Sequence, residues 1–102
     1  MNLTLVDATV VLGNEDTALV RNQHVLNVIG SSTIQISREL TVDGDGVNSG
    51  IFLAREATLT FEFKNDGFTT PELHLSSNFV MNLPPNSRLV FAGDGIVRVG
   101  IG

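Results

Sequence analysis

The chain is written in short runs where apolar and polar residues alternate. The clearest run spans residues 33–42. Ile34, Ile36, Leu40 and Val42 share one parity, and Gln35, Ser37, Glu39 and Thr41 share the other. A period of two marks a strand with one buried face and one wet face. Arg38 falls on the apolar parity, which predicts an edge position or a bulge there. Residues 57–63 repeat the pattern, with Leu59, Phe61 and Phe63 set against Thr58, Thr60 and Glu62. Further runs place Leu73 and Leu75, then Phe79, Met81 and Leu83, then Leu89 and Phe91, and finally Val97, Val99 and Ile101 on one face each. Nearer the start, Leu3, Leu5 and residues 10–12, 17–20 and 24–29 supply shorter apolar runs.

Turn chemistry separates these runs. Residues 13–16, 30–32, 43–50 and 64–67 are rich in Gly, Asn, Asp and Ser, which tolerate positive φ or bond to their own backbone. Pro84-Pro85-Asn86 stops any strand ladder, since proline donates no hydrogen bond. Gly93-Asp94-Gly95 predicts a hairpin between the last two strands. Roughly nine or ten short strands result, with turn signals every ~8–12 residues, the spacing of sandwiches and barrels. No run of helical period reaches ten residues. The absence of a repeat of fixed period favours a sandwich over a β-solenoid. The expected fold is therefore all-β: a single domain over residues 1–102, built as an antiparallel β-sandwich of jelly-roll type.

Composition narrows the chemistry. The chain has no Cys, Trp or Tyr, and its aromatic residues are six phenylalanines, which suit a core better than a sugar- or nucleotide-stacking platform. Six basic residues face eleven acidic ones, for a net charge of -5, and the basic residues are spread along the chain. That balance argues against nucleic acid as a partner, and equally against an anionic membrane surface. No basic segment followed by an apolar core opens the sequence, so no secretion signal is read there, and no apolar run approaches the ~20 residues of a membrane span.

Asp43-Gly44-Asp45-Gly46 has the look of the start of a calcium loop, with Asn48 as a further oxygen. An EF-hand starting at Asp43 needs Gly at its sixth position and Glu at its twelfth. Those positions hold Asn48 and Ala54. Asp-Gly also recurs at Asp66-Gly67 and Asp94-Gly95, so turn chemistry accounts for Asp43, Asp45 and Asn48 better than calcium does. His24 and His74 have no ligand spacing for zinc, and Glu72-Leu73-His74 predicts a solvated strand face. There is no G-x-S-x-G serine elbow, no Asp-Thr-Gly or Asp-Ser-Gly, and no phosphate-binding glycine loop before a helix. The expectation is a non-enzymatic protein without a cofactor.

Ile51-Phe52-Leu53 and Phe79-Val80-Met81 place apolar groups on both faces of their strands. In so short a chain this points to a partner surface at Ile51, Phe52, Leu53, Phe79 and Met81, and to a homo-oligomer, dimer or trimer. In strand density and composition over its whole length, the chain resembles small β-sandwich capsid decoration and accessory proteins of tailed bacteriophages. That resemblance implies a structural role in the virion, trimers on the outside of a head, and other capsid proteins as partners. The alternatives are a carbohydrate- or receptor-binding β-module of a viral fibre, and a calcium-dependent β-domain built on Asp43 and Asp45.

Overall fold

A computed structural model describes residues 2–12, 18–20, 25–42, 50–76 and 80–101. Among the described residues twelve strands follow in order: β1 (Asn2–Val6), β2 (Thr9–Val11), β3 (Ala18–Val20), β4 (Val25–Ile29), β5 (Ser31–Ile36), β6 (Glu39–Val42), β7 (Gly50–Leu53), β8 (Thr58–Phe63), β9 (Glu72–Ser76), β10 (Val80–Asn82), β11 (Arg88–Gly93) and β12 (Ile96–Ile101). They form three four-stranded sheets. Sheet A is β1-β4-β7-β10, sheet B is β2-β5-β8-β11 and sheet C is β3-β6-β9-β12. Every pairing is parallel.

The antiparallel jelly-roll sandwich expected from the strand pattern is thus overturned. Three consecutive strands make one coil, one strand to each sheet, and four coils stack into a β-helix. Parallel strands need a long crossover to return beside one another. Here the remainder of each coil is that crossover.

Stacking in register explains the alternation. In sheet A, Leu3, Leu26, Ile51 and Met81 lie one above another, as do Leu5, Val28 and Leu53. Sheet B stacks Val10, Ile34, Phe61 and Phe91, and beside them Ser32, Leu59 and Leu89. Sheet C aligns Leu40, Leu73 and Val97, then Val42, Leu75 and Val99. These rows meet in one core, in which the residues of the second and third coils are almost wholly buried. Each large side chain fully removed from water contributes about 1.5–3 kcal/mol before chain entropy is counted.

The corners account for the rest. Residues 33–42 are two strands, not one. The chain bends at Ser37-Arg38 from sheet B to sheet C, and exposed Arg38 occupies that corner. Gly93-Asp94-Gly95 likewise turns the chain from sheet B to sheet C, and β11 and β12 do not pair as a hairpin. All four corners between sheets A and B contain one residue with positive φ: Asp7 (48°), Gly30 (72°), Glu56 (64°) and Asn86 (64°). At the first, the Asp7 carboxylate accepts the Ser31 N–H at 2.9 Å and so ties one coil to the next.

The repeat is real but uneven. Sheet A stacks Asn2 on Val25, Val25 on Gly50 and Gly50 on Val80, steps of 23, 25 and 30 residues. In sheet C the step from Ala18 to Leu40 is 22, and from Glu39 to Glu72 it is 33. Among the described residues the connections differ in length: residues 64–71 join β8 to β9, where residues 37–38 join β5 to β6.

Candidate functional site

The residues expected to meet a partner are divided by the pleat. Ile51 and Leu53 point inward and are sealed in the core, so neither is available to another molecule. Phe52 points outward from sheet A, half-buried, in register between Asn27 and Asn82. Exposed Val6 and Ile29 pair on the same outer face. Met81 points inward and rests partly buried against the core. Phe79, the calcium candidates Asp43, Asp45 and Asn48, and His24 lie outside the described residues.

Sheet C carries the main polar group. Glu39 and Glu72 are register partners, and so are Thr41 and His74, and His74 and Arg98. The Arg98 Nε–H donates to Glu72 Oε1 at 2.8 Å, and His74 Nε2 lies 3.0 Å from the same oxygen. His74 Nδ1 is 3.4 Å from Glu39 Oε1. The Arg98 hydrogen bond, followed by that of His74, holds the Glu72 carboxyl below its ordinary value. The arrangement spans three coils and fastens their outer faces together. Sheet B is hydroxyl-rich outside: Thr9, Thr33 and Thr60 stand in register, and Gln35 donates to Glu62 at 2.8 Å. Among the described residues no cavity opens and no three metal-ligating side chains converge.

One surface that the sequence did not single out lies at the end of the stack. The inward rows continue onto the last coil, beyond which no strand pairs among the described residues. Phe61 is fully buried, yet Phe91, next in its row, is 46% exposed. Val97 and Val99, which follow Leu73 and Leu75, are 37% and 70% exposed. β10, β11 and β12 are each the terminal strand of a sheet, so one edge of each faces no neighbouring strand among the described residues. This end joins two features that proteins ordinarily cover: an apolar cross-section and three open strand edges. The sequence signal is slight, because Phe91, Val97 and Val99 alternate as core strands do, and only coil order shows that no described strand pairs beyond them.

At the opposite end β1, β2 and β3 are likewise terminal strands of their sheets, but the inward side chains described in β1 and β2 are better covered. Leu5 is only 2% exposed, and Leu3, Val10 and Leu12 are partly buried against the core; none is among the exposed large apolar side chains.

A scan of protein-family models, a search of curated proteins and a search of solved structures each returned no match.

Proposed function

We propose that this chain is a non-enzymatic structural module that works by assembly, through the open end of its coil. The observation that carries the proposal is the last coil itself: Phe91, Val97 and Val99 continue rows that are buried in the coil beneath, and they do so in water. Repeat proteins need a terminal unit with a polar outer surface to stay soluble. A terminal coil with an apolar surface is suited to being covered. In the virion setting proposed for this chain, neighbouring capsid or fibre subunits are what it would meet. The resemblance to decoration proteins lies in strand density and composition, and it lends no architectural support, since the β-sandwich it implied is overturned by the parallel sheets. The proposal stands on the exposed end.

Hydrogen exchange on the assembled protein tests it. Edge-facing amides of β10, β11 and β12 are expected to be protected there and to exchange freely in the isolated chain. Free exchange along all three strands in the assembled state would sink the proposal.

A further inference from the structure

Three aspartates lie within the described residues, and all three are exposed: Asp7, Asp66 and Asp94. Two of them are tied down, both at the carboxylate and at the amide that follows. The Asp7 carboxylate accepts the Ser31 N–H at 2.9 Å, and the next amide, Ala8 N–H, donates to Ser32 Oγ at 3.2 Å. The Asp66 carboxylate accepts the Phe68 and Thr69 N–H groups at 2.8 and 2.9 Å, and the next amide, Gly67 N–H, donates to Asn65 Oδ1 at 2.8 Å. Asp94 differs at both places. Among the described residues its carboxylate has no hydrogen bond or ion pair, and the Gly95 N–H has no acceptor.

We infer that Asp94-Gly95 is a modification site, where the backbone isomerises spontaneously to isoaspartate by a route that the fold closes at Asp7 and Asp66. The site is independent of the assembly role above.

The chemistry needs only water. The Gly95 nitrogen attacks the Asp94 carboxyl carbon and a new C–N bond forms. The nitrogen's proton and the carboxyl hydroxyl leave as water, and a cyclic imide remains. Water then breaks either C–N bond of the imide. Breaking the new one restores aspartate. Breaking the old one leaves the chain running through the side-chain carbonyl, with one extra methylene in the backbone. No oxidant or reductant enters.

Closure requires a neutral carboxyl, which has a hydroxyl to lose, and a nitrogen free to give up its proton. Hydrogen bonds to a carboxylate favour its ionised form. Those from Thr69 and Phe68 hold the Asp66 carboxyl below its ordinary value. The Asn65 side chain also engages the Gly67 N–H that would have to be surrendered. Two residues with the same Asp-Gly sequence are thus separated by their surroundings. At residue 94 neither obstacle is present, and glycine has no side chain to shield its nitrogen.

The product fits its corner poorly. A Cβ on Gly93 would fall on the Phe63 carbonyl oxygen, and one on Gly95 would fall on the Phe63 ring, so the corner lies flush against Phe63. Directly after it, the Ile96 N–H donates to the Pro71 carbonyl at 2.9 Å and β12 joins β9. A methylene added between Asp94 and Gly95 has no room beneath it. The corner must lift, and the hold of β12 on β9 weakens.

Ageing the full chain at neutral pH, folded and in concentrated urea, tests the inference. Chromatography and mass spectrometry of its peptides separate isoaspartate at each position. In the folded protein isoaspartate is expected to form several-fold faster at residue 94 than at residue 66. In urea, where the bonds at Asp66 are lost, the two rates should converge. Asn65→Ala frees the Gly67 N–H and should raise the folded rate at residue 66. Ageing should also speed amide exchange along β12, and Asp94→Ser should prevent that. Equal folded rates, or a faster rate at residue 66, would overturn the inference. So would isoaspartate at residue 94 that forms in urea and not in the folded chain.

Discussion

Phe61 and Phe91 stack in register on adjacent coils, with ring centroids 5.8 Å apart and planes inclined by 15°. The two rings share one row and one partner, and yet one is sealed while the other faces water on its far side. Their substitution costs should therefore differ sharply. Phe61→Ala opens a cavity in the middle of the stack and should cost about 3–5 kcal/mol, as large-to-small changes in cores do. Phe91→Ala loses the stacking contact and half a buried side chain, and should cost about 1–2 kcal/mol in the monomer. Urea denaturation of both variants checks the ratio. Equal losses would mean that the last coil is as deeply buried as the third.

Gly50 opens the third coil with φ at +152°. A Cβ placed on it would fall on the carbonyl oxygen of Val80, its register partner in β10. The fit of the last coil onto the third thus depends on a missing side chain. Gly50→Ala is expected to push β10 away and to cost at least ~2 kcal/mol, the range of strained or overpacked backbone sites. Hydrogen exchange should show the loss first in β10. A variant as stable as the parent would show that β10 can shift at no cost.

Much of this coil was legible in residue order, and the missing part has a physical cause. The pairs Ile34/Ile36, Leu40/Val42, Leu59/Phe61 and Leu73/Leu75 all point inward, as their alternation requires. Alternation reports that one face of a strand is buried, and a sandwich and a β-helix bury one face alike. It is silent on strand direction. Direction is set by whether the chain folds back at a turn or goes on around a corner, and both use Gly, Asp and Asn at positive φ. Gly93-Asp94-Gly95 reads as a hairpin for that reason. The period was hidden because corners absorb from none to several extra residues, so steps of 22 and 33 residues occur within one sheet. The exposed apolar surface was only partly legible. Ile51-Phe52-Leu53 looked apolar on both faces, but two of the three belong to the core, and the exposed end depends on coil order, which no local pattern encodes.

The cluster on sheet C gives a pH signature. Arg98 and His74 hold the Glu72 carboxyl below its ordinary value of 4.5. A carboxyl whose pKa is depressed on folding adds stability above its unfolded value, and that stability is lost as pH falls through the folded one. The loss should therefore appear below about pH 4.5, in the acid limb of the stability curve. Glu72→Gln should flatten that limb and cost about 0.5–1 kcal/mol at neutral pH, because the pairs are partly exposed and screened by salt. Thermal melts of both proteins from acid to neutral pH compare the two slopes directly. Parallel slopes would remove Glu72 from the account.

Ser32 is the one polar side chain in the stacked row Ser32, Leu59 and Leu89. It is almost wholly buried, and its hydroxyl oxygen accepts the Ala8 N–H at 3.2 Å, while the Thr33 N–H donates to the Ala8 carbonyl at 2.8 Å. The first coil is thus held to the second by a side chain that reaches where the backbone ladder is interrupted at the corner. Replacing Ser32 with Ala leaves the Ala8 N–H without this acceptor and should cost about 1–3 kcal/mol, the penalty for stranding a poorly hydrated donor. Ser32→Thr keeps the oxygen and adds a methyl group, so any loss there measures crowding alone. Amide exchange at Ala8 separates the two effects: it should accelerate in the Ala variant and stay slow in the Thr variant. Unchanged exchange in the Ala variant would show that the hydroxyl does not hold the first coil.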